Sequence, residues 1–116
     1  MRIALTLAAC ALSLGSAAAA EDFYQGKTIS LLIGHQAGGE YDTHARLIAR
    51  HMGQHIPGNP VIVPQNMIGA SGLRATNFLY NTAPRDGTSI AMVAENILQN
   101  QLFGEAGVQY DAAKLR

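Results

Sequence analysis

The sequence predicts an α/β fold, a three-layer arrangement in which a parallel sheet carries flanking helices. Three observations predict it. The runs 28–34, 61–65 and 88–93 are apolar or β-branched at consecutive positions, the pattern of parallel strands buried on both faces. The segments that follow them space their apolar residues at helical intervals. In the first two units a glycine-rich turn stands between strand and helix: Gly34-His35-Gln36-Ala37-Gly38-Gly39-Glu40-Tyr41-Asp42, and Met67-Ile68-Gly69-Ala70-Ser71-Gly72. The order β-α-β-α-β-α then favours right-handed crossovers and a parallel sheet.

Each element has its own local reason. Residues 22–26 read as a lead-in, with Phe23 and Tyr24 available to pack on the sheet. After the first strand, Asp42 is placed to N-cap a helix over 43–55, in which Ala45, Ile48, Ala49, Met52 and Ile56 share one face. Pro57-Gly58-Asn59-Pro60 ends it. In the second strand Pro64 cannot donate to a ladder, which argues for an edge position or the strand's last turn. Ser71 is read as the cap of a second helix reaching about Thr82, and Ala83-Pro84-Arg85-Asp86-Gly87 as a turn. A third helix is expected over 95–103 with Gly104 as its stop, whereas 107–116 shows no clear pattern.

The first twenty residues stand apart. Arg2 precedes an apolar run, and Ala18-Ala19-Ala20 offers the small-x-small pattern of signal-peptide cleavage, with the cut expected after Ala20. Leu7-Ala8-Ala9-Cys10 also fits the approach to a lipidated cysteine; the ordinary cut is preferred because the apolar run continues past Cys10 to a better site. With Cys10 removed, no disulfide or thiol chemistry is available. Residues 21–116 then hold seven Lys+Arg against eight Asp+Glu and no basic cluster, so nucleic acid is not the expected partner. The expectation is an exported chain.

The chemistry is expected in the two turns. A glycine turn at a helix N-terminus brings backbone N–H groups to the positive end of the helix dipole, a ready anion site. In the first turn the donors would be N–H groups around Gly38, Gly39 and Tyr41, with Asp42 fixing the loop by capping backbone N–H groups. In the second, Asn66, Gly69, Ala70, Ser71 and Gly72 would line the site, Ser71 capping the helix or donating to a ligand. Gly69-x-Ser71 resembles the start of a nucleophile elbow, so the alternative is a small secreted α/β hydrolase using Ser71; Leu73 stands where that pattern needs glycine. His44, His51 and His55 fall on one helical stripe, and His51-x-x-x-His55 has a spacing compatible with zinc, yet surface histidines beside a core face explain them as well. Neither a metal nor a cofactor is expected. Arg46 and Arg74 lie within a turn or so of the glycine loops, where either could help hold an anion, but with Arg50 they are read as solvated or paired with nearby acids.

Several segments together resemble the substrate-binding proteins of tripartite tricarboxylate transporters, the Bug-type periplasmic receptors. They are residues 22–29 (Asp-Phe-Tyr-Gln-Gly-Lys-Thr-Ile), Gly38-Gly39-x-Tyr41-Asp42, residues 45–53, His55-Ile56-Pro57-Gly58-Asn59-Pro60, Gln65-Asn66-Met67, Leu79-Tyr80-Asn81 and residues 83–88. The resemblance implies a two-lobed type II periplasmic binding-protein fold that closes on a small carboxylate and delivers it to the transporter's membrane components, without bond chemistry. It also implies a longer chain, of which residues 21–116 would be an incomplete first lobe. The sequence departs from the family's usual pattern where His35-Gln36-Ala37 replaces a proline-rich stretch, where Glu40 replaces a third glycine, and where Ile68 and Ser71 replace proline and glycine in the second turn.

Overall fold

The computed structural model describes residues 23–115; the expected signal peptide, with Cys10 and the cut after Ala20, lies outside them. Strand β1 (Thr28–Ile33) is followed by helix α1 (Glu40–Met52) and a 3-10 turn (Gly53–His55). Strand β2 (Val61–Asn66) leads through a second 3-10 turn (Ala70–Gly72) into α2 (Leu73–Asn81). Strand β3 (Ser89–Met92), the short α3 (Ile97–Leu102) and a last 3-10 turn (Ala112–Lys114) complete the order. The sheet has the order β2-β1-β3 and every pairing is parallel, Thr28 to Ile33 lying opposite Val61 to Asn66 and Ser30 to Ile33 opposite Ser89 to Met92. This is the α/β fold the sequence predicts, consistent with part of a periplasmic binding-protein lobe.

The central place of β1 follows from its unbroken apolar run, since only a strand covered on both faces can bury consecutive side chains. Ile29, Leu31 and Ile33 face α1 and meet Ala45 and Ile62 in a core that Ala49, Met52, Ile56, Ile90 and Met92 complete. Leu32, equally buried, points to the other face, where Ala75 of α2 is fully covered. The first crossover leaves β1 in one direction and the second returns past it, so the two helices lie on opposite faces and make three layers. Pro64 occupies an edge strand, as its missing donor requires. Val61 and Met67 donate to Lys27 and Ile33 of the β1 segment, so by alternation the nitrogen of Pro64 faces the open edge.

Several boundaries and contacts differ from the expectation. Helix α1 begins three residues early: its N-cap is Gly39, and Asp42 sits in its first turn rather than at the cap. From there the Asp42 carboxylate reaches back to the Gly38 N–H at 2.8 Å, the reach of an acidic N3 residue. Ser71 does not cap α2 either; Gly72 is the N-cap, without a side-chain bond, and Ser71 itself has φ of 49°. Ile48 is 40% exposed, because Ala45, Ala49 and Met52 already fill the face against the sheet. Tyr24, not Phe23, packs on the core, and its hydroxyl donates to the Gly87 carbonyl. Helix α3 starts two residues late because Glu95 and Asn96 form a turn. Its stop is as expected: beyond the helix, the Gly104 and Glu105 N–H groups return to the Gln101 and Asn100 carbonyls.

The unpatterned segment after Gly104 is held by α2. Asn77 donates to the Gly107 carbonyl and accepts from the Gln109 N–H, and Asn81 donates to the Gln109 carbonyl, all within 2.9 Å. Tyr110 is then buried, and its hydroxyl donates to the Ile97 carbonyl at 2.6 Å.

One close approach positions everything that follows. A Cβ on Gly34, at the end of β1, would lie 2.7 Å from the Gly72 Cα. Glycine here lets the second turn rest on the end of the central strand. Gly34→Ala should therefore cost about 1–3 kcal/mol of unfolding free energy, the usual cost of overpacking; a denaturant midpoint equal to wild type would show that the contact is not tight.

Candidate ligand-binding crevice

Three loops meet at the carboxyl ends of the strands: 34–39 after β1, 67–72 after β2 and 93–96 after β3. The chain leaves β1 toward β2 and later returns to the other side, so the strand order reverses beside β1, the place where open α/β sheets leave a crevice for ligands. Gly34 touches the Gly72 backbone, and a Cβ on Gly72 would stand 3.5 Å from the Val93 side chain and 3.6 Å from the Ala94 nitrogen. The three loops thus share one small region.

Asp42 organises the first two. It is only 3% exposed. Its Oδ2 accepts from the Gly38 N–H at 2.8 Å and from Arg46 Nε at 2.9 Å, and its Oδ1 accepts from Asn66 Nδ2 at 2.8 Å. Asn66 Nδ2 also donates to the His35 carbonyl, and Arg46 Nη2 donates to Asn66 Oδ1, closing the ring. The Arg46 bond above all, then those from Gly38 and Asn66, hold the Asp42 carboxyl well below the usual carboxylate range; Asp42 in turn raises the guanidinium of Arg46. Capping of backbone by Asp42 is therefore present, through Gly38.

That ring changes which donors face outward. The Gly38 N–H is taken by Asp42, and the Gly39 N–H leans on the Gln36 carbonyl at 3.4 Å. Within α1 the first amide to find a helical acceptor is that of Thr43, on the Gly39 carbonyl. The N–H groups of Glu40, Tyr41 and Asp42 precede it and are the orphan donors of the helix start.

The second turn is tightly wound. Gly69, Ala70, Ser71 and Gly72 all have positive φ, an unusual conformation for Ala70 and Ser71. The Gly72 and Arg74 N–H groups return to the Gly69 carbonyl, that of Leu73 returns to Ala70, and Arg74 lays its stem against Gly69 while donating to the Ile68 carbonyl. Ser71 is exposed at the tip. Among the described residues its side chain shares no hydrogen bond with an acid or base, so the arrangement gives no support to a nucleophilic serine.

The third loop joins through Tyr41. Its hydroxyl donates to Glu95 Oε2 at 2.5 Å, and its ring stacks on His35 with centroids 4.1 Å apart. The bond from Tyr41 lowers the Glu95 carboxyl, while Glu95 raises the Tyr41 phenol. Two shielded atoms of these loops, His35 Nε2 and Asn96 Oδ1, have no hydrogen-bond partner among the described residues, a condition that costs roughly 1–3 kcal/mol per atom.

The structure thus brings Gly38, Asp42 and Asn66 into one ring, links Tyr41 to the third loop and sets Gly69, Ala70, Ser71 and Gly72 beside Gly34. Gly39 caps α1. Three residues outside the expected set belong with them: Arg46, His35 and Glu95. Arg46 had a readable signal, its i,i+4 spacing from Asp42; Glu95, 54 positions from Tyr41, had none. His44, His51 and His55 are exposed, and among the described residues no group of three or more His, Cys, Asp or Glu is placed to hold a metal.

The Asp42 ring carries a pH dependence of known sign. Its folded value lies below the unfolded value of about 3.9, so ionisation of Asp42 favours the fold at every pH above that value. The gain disappears as pH falls from about 4 toward the folded value. Asp42→Asn should lower the melting temperature at neutral pH and flatten the acid limb of the stability curve below about pH 4. Parallel curves for both proteins from neutral to acid pH would remove Asp42 from this role.

Against known proteins, no family model matches and no solved structure matches. Over 92 residues, 79% of this chain, the sequence is 39% identical to the "UPF0065 protein in gbd 5'region" of Cupriavidus necator. The aligned stretch is 27% of that relative, so the chain spans about a quarter of its length.

Proposed function

We propose that this chain is part of a periplasmic solute receptor that takes a small carboxylate in the crevice at the carboxyl ends of its strands and works with the membrane components of a transporter, without bond chemistry. The observation that carries this reading is the start of α1, where three backbone N–H groups remain as donors while Asp42 locks the turn that presents them. Anions are favoured at such a terminus by both the donors and the helix dipole. The similarity to a UPF0065 protein supports the reading, because that designation belongs to the Bug-type tripartite tricarboxylate receptors, a periplasmic family. The signal-like residues 1–20 agree with export. Among the described residues no helix is long and apolar enough to cross a membrane.

A receptor of this kind works by differential binding: the ligand favours the state in which it is gripped. Delivery to a tricarboxylate-type transporter is the finer part of the proposal and follows the same resemblance.

The donor assignment can be tested at one residue. Glu40 is the first residue of α1, where proline is tolerated, and Gly39 before it has φ of −79° and ψ of 177°, a conformation compatible with a following proline. Glu40→Pro removes one N–H, and Glu40→Ala removes the same carboxylate while keeping that N–H. Unmodified small carboxylates should raise the melting temperature of the wild type without being consumed. Glu40→Pro should bind them about tenfold more weakly than Glu40→Ala, the effect of one hydrogen bond to a charged group. Equal affinities would exclude the helix start as the carboxylate site, and turnover of the acid or its ester would refute the receptor reading.

A further inference from the structure

The crevice is unequal in charge. On the side of β1 and β2 Asp42 and Arg46 already have partners: Asp42 is enclosed by Gly38, Arg46 and Asn66, and Arg46 is divided between Asp42 and Asn66, while Glu40 at the start of α1 is exposed. Arg74 is turned to the Ile68 carbonyl. Both arginines beside the loops are thus engaged with the scaffold. On the side of β3 stands Glu95, an exposed residue whose Oε2 is taken by the Tyr41 hydroxyl. No other described residue donates to its carboxylate, whose remaining contact is with its own backbone N–H.

Tyr41 makes this placement firm. Its backbone lies in the first turn of α1, among the orphan donors, while its ring stacks on His35 of the β1 loop and its hydroxyl grips Glu95 of the β3 loop. His35, Tyr41 and Glu95 form a strap across the point where the strand order reverses. The strap holds a carboxylate one tyrosine length from the proposed anion site.

We infer that Glu95 sets the class of solute, selecting a carboxylate that carries a hydrogen-bond donor, a protonated amine or a hydroxyl, close to its carboxyl group over a bare di- or tricarboxylate. This deepens the receptor reading and rests on it. A donor on the ligand would meet the exposed carboxylate of Glu95 and gain a charge-assisted hydrogen bond. A second ligand carboxylate there would meet like charge, with both nearby arginines already engaged.

The test uses four acids of equal carbon count: butyrate, 2-hydroxybutyrate, 2-aminobutyrate and succinate, titrated calorimetrically near neutral pH. The wild type should bind 2-aminobutyrate, 2-hydroxybutyrate or both about tenfold more tightly than butyrate, and succinate no better than butyrate; which of the two substituted acids binds identifies the donor. Glu95→Gln should bring the ratio of substituted to plain acid close to one. Tyr41→Phe, which frees Glu95 from the strap, should reduce the ratio in the same direction and serves if the first variant does not fold. Succinate equal to or tighter than both 2-aminobutyrate and 2-hydroxybutyrate in the wild type overturns the inference while leaving the receptor reading in place. So does a preference that survives in Glu95→Gln. If none of the four acids binds, the receptor reading falls and the inference with it.

Discussion

The carboxylate of Asp42 is the constraint on which the remainder of the crevice depends. An ionised group that is nearly covered is tolerated only when hydrogen bonds replace the water it has lost. Here the replacements come from three elements: the Gly38 amide of the β1 loop, the Arg46 guanidinium one turn along α1, and the Asn66 amide at the end of β2. Because Arg46 and Asn66 each have a second partner as well, moving one moves the others. Asn66 holds the His35 carbonyl, so the first loop is tied to the end of β2 as well as to its own helix. The result is a glycine turn that is locked although its residues are intrinsically free.

A second constraint comes from the close contact of Gly34 with Gly72, which brings the β2 turn onto the end of β1. Hydrogen bonding fixes the first loop, and steric contact fixes the second. Neither mechanism uses the amides at the start of α1. Preorganisation of this kind leaves those donors in place, and under the proposed reading it would lower the cost of binding a ligand there. The left-handed backbone at Ala70 and Ser71 is maintained in the same way, by the bonds that Gly72, Leu73 and Arg74 return to the turn.

What the sequence made legible follows the range of the interactions. The strands were readable because burial on both faces writes a continuous apolar run into β1, and Pro64 marked the edge because a missing donor has only a few tolerated places. Asp42 was identified as the residue that caps the first turn, but its position was misjudged: an acidic side chain can cap from the third helical residue as well as from the cap itself, and only the backbone conformation of Gly39 distinguishes the two. Ser71 was read as a cap on residue type alone, and the left-handed turn made that role impossible. Arg46 was within reach of the i,i+4 rule. The Tyr41–Glu95 bond and the Asn77 and Asn81 clamp were not, since each joins residues separated by tens of positions, and local patterning holds no record of such pairs.

Two acids of these loops illustrate why charge alone is a poor guide to a site. Asp42 and Glu95 both have lowered carboxyl values, yet the causes assign them different work. Asp42 is enclosed, both oxygens accept from protein donors, and nothing remains for a ligand. Glu95 is exposed, and among the described residues the Tyr41 hydroxyl is the one side chain that holds it. An anion fully satisfied within the protein presents little field to a solute, because its donors carry the compensating charge. An anion held from one side keeps its field and its direction. Under the proposed reading one site can therefore contain both without contradiction: the first would fix the turn whose donors receive the ligand's charge, and the second would restrict what else the ligand brings.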